Sequence, residues 1–274
     1  MRKRSSRAAT VLLVFTAACA FAQTAPGPAE IQKAPDNLPQ FEVASIRPSG
    51  PSQRELNGFR IFPGGRIVGK GCRLQYLIML ALNVDHFQIE GLPGWAHFTK
   101  GDGFEIQAVP PENSQSAKVQ PAFSVDPPID EERQMLLALL IDRFHLEFHR
   151  ETREGQVYLL TRGKGDFKLH PPADKSAYPW AGGDYQTWYG GKNISMSNLA
   201  KRMSSWLGHP VLDRTGITGS FDFDFRMGDT DNSDSRDITG FLLVAMKDLG
   251  LDFKSSKGPI ETIVIDHVEQ PSPN

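Results

Sequence analysis

Apolar positions along this chain fall into short periodic runs, and the period alternates between helical and strand-like. Leu74, Leu77, Ile78, Ala81 and Leu82 recur at helical spacing, which places one greasy stripe on a single helix face. Phe87-Gln88-Ile89 follows as a strand, then a loop through Pro93, Gly94 and Trp95, then Phe104–Val109, alternating as a half-buried strand does. The same order recurs. Leu136, Leu139 and Leu140 mark a second helix with Asp130 as its N-cap. Phe144, Leu146 and Phe148 then alternate, Arg153-Glu154-Gly155 reads as a turn, and Val157–Leu160 as the returning strand. Leu199, Met203, Trp206 and Leu207 share a face of a third helix, followed by Val211-Leu212, a Gly216/Gly219 turn and the alternation Phe221, Phe223, Phe225. Leu242, Ala245, Met246 and Leu249 mark the fourth, followed by Leu251-Asp252-Phe253, the turn Lys257-Gly258-Pro259 and Thr262–Ile265.

Repeated helix–strand–turn–strand units predict an α+β fold with helices packed on antiparallel sheet, because each unit supplies a hairpin rather than a parallel crossover. Units this small cannot bury their apolar faces alone, so they pack on one another. Phe41–Ile46, stopped by Pro48, adds a strand ahead of them. Breaks without periodicity span Pro110–Pro128, His170–Gly191 and the acidic run Asp229–Asp237. The units can form one sheet or two sub-domains, the latter dividing at the second of these breaks, near residues 170–191.

The N-terminus changes the picture of where the protein works. Residues 2–7 are basic, Ala8–Ala18 is an apolar run, and Ala20-Phe21-Ala22 gives the small-x-small pattern of a signal-peptidase site. Residues 1–22 therefore read as a signal peptide, 23–40 as a Pro- and Ala-rich flexible spacer, and 41–274 as an α+β domain. The expected location is periplasmic or extracellular. Cys19 raises lipidation, but Thr16 stands where a lipobox needs an aliphatic residue. No later stretch reaches the roughly 20 apolar residues of a membrane span. Of 30 basic residues four lie in the export segment, which leaves 26 against 32 acidic, a net charge of −6. That balance gives no general attraction to phosphate backbones, and no nucleic-acid partner is expected. Hydrophobic residues at 39% and charged residues at 23% exclude a wholly disordered chain.

Several ordered motifs together resemble one family. FEVASIRP, GGRIVGKGCRLQYLIMLAL with IEGLPGW, LLALLIDRFHLEFHRETREGQVYLL, ISMSNLAKRMSSWLGHPVLDRTGITGSFDFDF and GPIETIVIDHVEQPSPN all fit it. It is a soil-associated family of exported bacterial proteins, expanded in acidobacteria, built on a domain of unknown function. The resemblance implies export and a related fold, with no catalytic residues to carry over. Fusions of relatives to membrane-bound, antibiotic-sensor-like metallopeptidase modules imply a sensory or binding role. The helix-then-hairpin order also looks like the small N-terminal domain of secretins and TonB-dependent receptors, a fold-level analogy.

Candidate chemistry is sparse. After cleavage Cys72 stands alone, so no internal disulfide forms, and a lone buried thiol is the ordinary reading beside that of a nucleophile. Gly64–Gly71 nearly spells a P-loop but has Gly71 where Ser or Thr should hold Mg²⁺. His145, Glu147 and His149 alternate along a strand, which sets the two imidazoles roughly 13–14 Å apart, too far for one metal. Asp229, Asp231 and Ser233 begin like a calcium loop, but Asp234 and Gly240 stand where Gly and Glu are needed. No metal site and no cofactor is expected. Asp213, Asp222 and Asp224 offer carboxylates for a glycoside hydrolase, or else a turn and a strand's polar face. The most suggestive stretch is Tyr178–Tyr189, where Trp180, Tyr185, Trp188 and Tyr189 lie among glycines and can either grip a ligand or fold back as core. The leading expectation is a non-enzymatic exported protein that binds an envelope glycan, peptide or protein through these four rings. An extracytoplasmic hydrolase is the alternative.

Overall fold

A computed structural model describes residues 37–50, 58–99, 101–118, 128–184, 187–227 and 238–271. The export segment, most of the spacer, Tyr185 and the acidic run 229–237 lie outside the described residues.

Three sheets carry the α+β fold. The first is antiparallel, ordered β1 (Val43–Pro48), β5 (Gly103–Val109), β3 (Arg66–Arg73), β2 (Arg60–Phe62). Phe104, Ile106 and Ala108 point inward from β5, while Glu105, Gln107 and Val109 point away. Onto the inward face pack α1 (Leu74–Leu82) and α3 (Asp130–Phe144), through Leu77, Ile78, Leu136 and Leu140. Each such fully buried side chain contributes roughly 1.5–3 kcal/mol over leaving it in water. A short helix α2 (Gln115–Lys118) meets α3 where Glu131 accepts from the Ser116 N–H at 2.7 Å. The second sheet, also antiparallel, is β10 (Ser220–Arg226), β8 (Trp188–Ser195), β7 (Trp180–Gly183). It is covered by α4 (Met196–Leu207) and α5 (Ile238–Asp248), whose Leu199, Met203, Leu242 and Met246 are buried. Trp206, expected on the apolar face of α4, is instead 48% exposed in its last turn.

The third sheet joins the two. It is ordered β4 (Ile89–Glu90), β11 (Leu251–His267), β6 (Glu147–Arg162), β9 (Val211–Asp213). β6 and β11 run antiparallel over nearly their whole length, and β4 and β9 add in parallel at opposite ends. The sequence predicts turns at Arg153-Glu154-Gly155 and Lys257-Gly258-Pro259. There are none; both stretches continue as strand, with Gly155 facing Gly258 and Glu154 facing Pro259. The turn-forming residues of one strand are paired with those of the other, so the ladder runs through residues that alone would bend the chain. Pro259 lacks an N–H, and it is tolerated because β4 reaches only Ile263 and Val264, leaving one flank of β11 open there. Phe144, expected to begin a strand, is the last residue of α3, and His145 at φ 50° turns the chain into β6.

The described elements form one long motif twice. β3, α1 and β4 begin at Arg66, Leu74 and Ile89; β8, α4 and β9 begin at Trp188, Met196 and Val211, with the same spacing. β5 then pairs with β3 as β10 pairs with β8, and α3–β6 is followed in the second copy by α5–β11. Even the irregularities correspond. Gly71 (φ 59°) and Asn193 (φ 45°) hold the left-handed conformation at the same place, and each sits where the register of its strand pair shifts. The four short units seen in the sequence are thus two copies of a double unit. The copies exchange strands: Ile263 and Ile265 of β11 complete the first core, and Leu160 of β6 belongs to the second.

Candidate functional site

β7 and β8 alternate about the second sheet, and the alternation divides the candidate rings. Ala181, Tyr189, Phe223 and Phe225 face the core; Tyr189 is wholly buried, its ring 5.5 Å from that of Phe223. As folded, Tyr189 is a core residue and has no surface to offer a ligand. Trp180 and Trp188 face the other way and are half-buried. Their rings stack with centroids 5.7 Å apart at 28°. Beneath them the sheet is bare: Cβ atoms built on Gly182 and Gly190 would come within 3.4 and 2.9 Å of the Trp180 and Trp188 rings. On the core side, a Cβ on Gly191 would lie 2.3 Å from the Phe223 ring. Close approach favours glycine at 190 under the Trp188 ring and at 191 on the core face, whereas at Gly182 the Trp180 ring lies at ordinary contact distance.

Polar groups fix Trp188 in place. The Trp188 indole N–H donates to the Asp224 carboxylate, and Arg226 pairs with Asp224 at 3.3 Å while its guanidinium lies 5.9 Å over the Trp188 ring. Asp184 closes the β7–β8 hairpin, accepting from the N–H groups of Thr187 at 2.7 Å and Trp188 at 2.9 Å. Leading into β7, Asp222, which is 9% exposed, holds residues 170 and 173, and the Asn193 amide donates to the carbonyls of Lys175 and Ala177. The Asp222 carboxylate accepts from Asn193 N–H at 2.8 Å and Ala173 N–H at 3.1 Å, with the Lys192 ammonium at 3.5 Å. Burial pushes this carboxyl up, but the two backbone donors and Lys192 outweigh it and hold it below the usual aspartate value.

The other candidates take structural positions. Asp213 shapes a turn, accepting from the Thr215 N–H at 2.9 Å and its hydroxyl at 2.7 Å. Cys72 is buried in the first core, and burial pushes its thiol up to about 12, which removes a thiolate at neutral pH. Gly64 and Gly65, both at positive φ, make the β2–β3 hairpin turn, and the residues after them run as strand rather than cradle. His149 lies between two carboxylates, Asp266 at 2.9 Å and Glu151 at 3.0 Å, and Arg153 links Glu151 onward to Glu90. Among the described residues no three His, Cys, Asp or Glu side chains converge as a metal-binding group.

One feature has no trace in the sequence pattern. A cleft of about 550 Å³ opens between α1 and α4, lined from both helices and by Phe59, Tyr178 and Ile194. Its lining comes from separate segments that become neighbours only when the two copies of the motif meet.

Fold and surface together define an α+β protein of two strand-exchanged halves, with an indole pair on one sheet and a cleft between corresponding helices. Residues 75–268 match the family described as "Protein of unknown function (DUF3738)", and the chain belongs to that family. No curated protein and no solved structure matches it. No described helix is long and apolar enough to cross a membrane.

Proposed function

We propose that this protein is exported and binds a glycan of the bacterial cell envelope on its indole pair, without turning it over. One observation carries the reading: Trp180 and Trp188 are stacked and half-buried over the glycines of β7 and β8, with Trp188 held by Asp224 and Arg226. Large rings kept on the solvent side of a sheet are costly unless a ligand covers them, and a sugar ring presents an apolar C–H face that such rings accept. Because the indoles are already ordered, binding would cost little further side-chain entropy. The basic-then-apolar N-terminus supports export.

The hydrolase alternative draws less support. Asp222 is held by backbone donors, Asp213 by its own turn, and Asp224 by an indole and a guanidinium. None of the three is a free acid or base poised over open space, as paired glycosidase carboxylates must be.

Tryptophan fluorescence of the purified protein, titrated with peptidoglycan fragments and soil polysaccharides, tests the reading. We expect a saturable change that Trp188→Ala weakens at least tenfold while circular dichroism stays that of the wild type. A flat titration together with acrylamide-inaccessible indoles would sink the proposal. Release of reducing sugar from any of these glycans would favour the hydrolase.

A further inference from the structure

We propose that the cleft between α1 and α4 is a second binding site, independent of the indole pair, for a small amphipathic carboxylate. Its volume of about 550 Å³ falls within the range of small-molecule sites. One wall is apolar: Tyr76 and Leu80 of α1, with Phe59 and Ile194 beside them. The facing wall, from α4, carries Lys201 and Arg202. Among the described residues no carboxylate lines the cleft.

Among the described residues neither cation forms an ion pair. Lys201 donates to the neutral side-chain oxygen of Asn83 at 2.6 Å, and among the described residues Arg202 has no hydrogen-bond or ion-pair partner. Asp85 accepts the Ser205 hydroxyl and lines a neighbouring hollow, which Lys201 also borders. The chain as a whole is acidic, so two uncompensated cations side by side on one wall are a local reversal of sign.

Correspondence between the two copies of the motif sharpens the point. Leu80 of α1 and Arg202 of α4 hold the same place in their helices, as do Tyr76 and Asn198, and all four line the cleft. Matching positions therefore present apolar groups on one side and charge or amide on the other. A ligand that satisfies both needs an apolar body and one anionic head. Arginine's planar fork suits a carboxylate head, and the lysine adds a point charge beside it.

Isothermal titration calorimetry of the purified protein with sodium decanoate tests this, with decanol and decyltrimethylammonium as neutral and cationic counterparts. We expect one saturable decanoate site, at least tenfold weaker binding in the Lys201→Gln/Arg202→Gln double variant, and a smaller loss in Arg202→Lys, which keeps the charge but not the fork. Decanol and decyltrimethylammonium should bind at least tenfold more weakly than decanoate. Because both cations are exposed, the double variant should melt as the wild type does, and Arg202→Lys guards against a fold effect if it does not. The proposal is overturned if the wild type shows no saturable heat, if the double variant binds decanoate as well as wild type, or if decanol binds equally. It is overturned too if Trp188→Ala abolishes decanoate binding, since the anion would then sit on the indoles. Loss of glycan binding in Trp188→Ala with decanoate binding intact would separate the two sites.

Discussion

Replacing Asp222 with alanine takes an acceptor away from the N–H groups of Asn193 and Ala173 at once and leaves the exposed Lys192 to water. Hydrogen bonds to a charged acceptor are worth about 1.5–3 kcal/mol each, and the two N–H groups can recover part of this from water, so we expect a loss of about 2–4 kcal/mol in urea unfolding at pH 7. A loss below about 0.5 kcal/mol would mean that the Asp222 carboxylate does not anchor the segment at Ala173. His149 makes the opposite case. Hydrogen bonds to Asp266 first, and then to Glu151, raise its imidazole above the ordinary value of about 6.5. A raised folded-state value means that the stabilisation is complete below about pH 6.5 and is lost as pH rises through that higher value. The melting-temperature gap between wild type and His149→Gln should therefore be widest near pH 6 and close by about pH 9. A gap independent of pH would refute the coupling. Neither role was legible in the sequence, because all the partners except Glu151 lie far along the chain. Trp188 and Tyr189 show a subtler loss of signal. Their division between surface and core is a period-two pattern, but the neighbouring Gly182, Gly183, Gly190 and Gly191 have no side chains to display it, and so the stretch reads as loop.

At the level of elements, the two copies of the motif solve one problem differently. α3 and α5 both hand over to the long strands through a left-handed residue, His145 at φ 50° in one and Gly250 at φ 79° in the other. A non-glycine residue in that conformation costs roughly 1–2 kcal/mol of local strain, part of which glycine regains. We expect His145→Gly to stabilise the fold by about 0.5–1 kcal/mol, net of a weak exposed contact with Glu269. Gly250→Ala should destabilise it by more than about 2 kcal/mol, since the added Cβ would come within 2.4 Å of the Asp166 carbonyl oxygen. Equal and small effects on thermal melting would contradict both assignments. The helices themselves were plain from their 3.6-residue spacing. The long strands were not, because Gly155, Gly258 and Pro259 carry turn propensities that only a distant partner overrides.

Across the whole molecule, α+β class and recurrence were visible in the pattern of apolar positions, whereas the grouping of units and the exchange between them were not. β6 finds its partner in β11 at the far end of the chain, and no local signal encodes that. The exchange implies that neither core is complete within its own half. A fragment covering residues 37–178 would lack Ile263 and Ile265 from the first core. We expect it to show no cooperative thermal transition and poorly dispersed amide resonances, while the full protein unfolds in a single step. A cooperatively folded fragment would show that the halves are separable domains.

Both ends of the described chain meet the same half. Leu38 and Phe41 pack on the first core, as does Val268, and the Glu269 N–H reaches the Phe144 carbonyl at 2.8 Å. A tether or fused module attached at either terminus would therefore grip the molecule by one handle. The half that carries the indoles would be left on the free arm, turned toward whatever passes by.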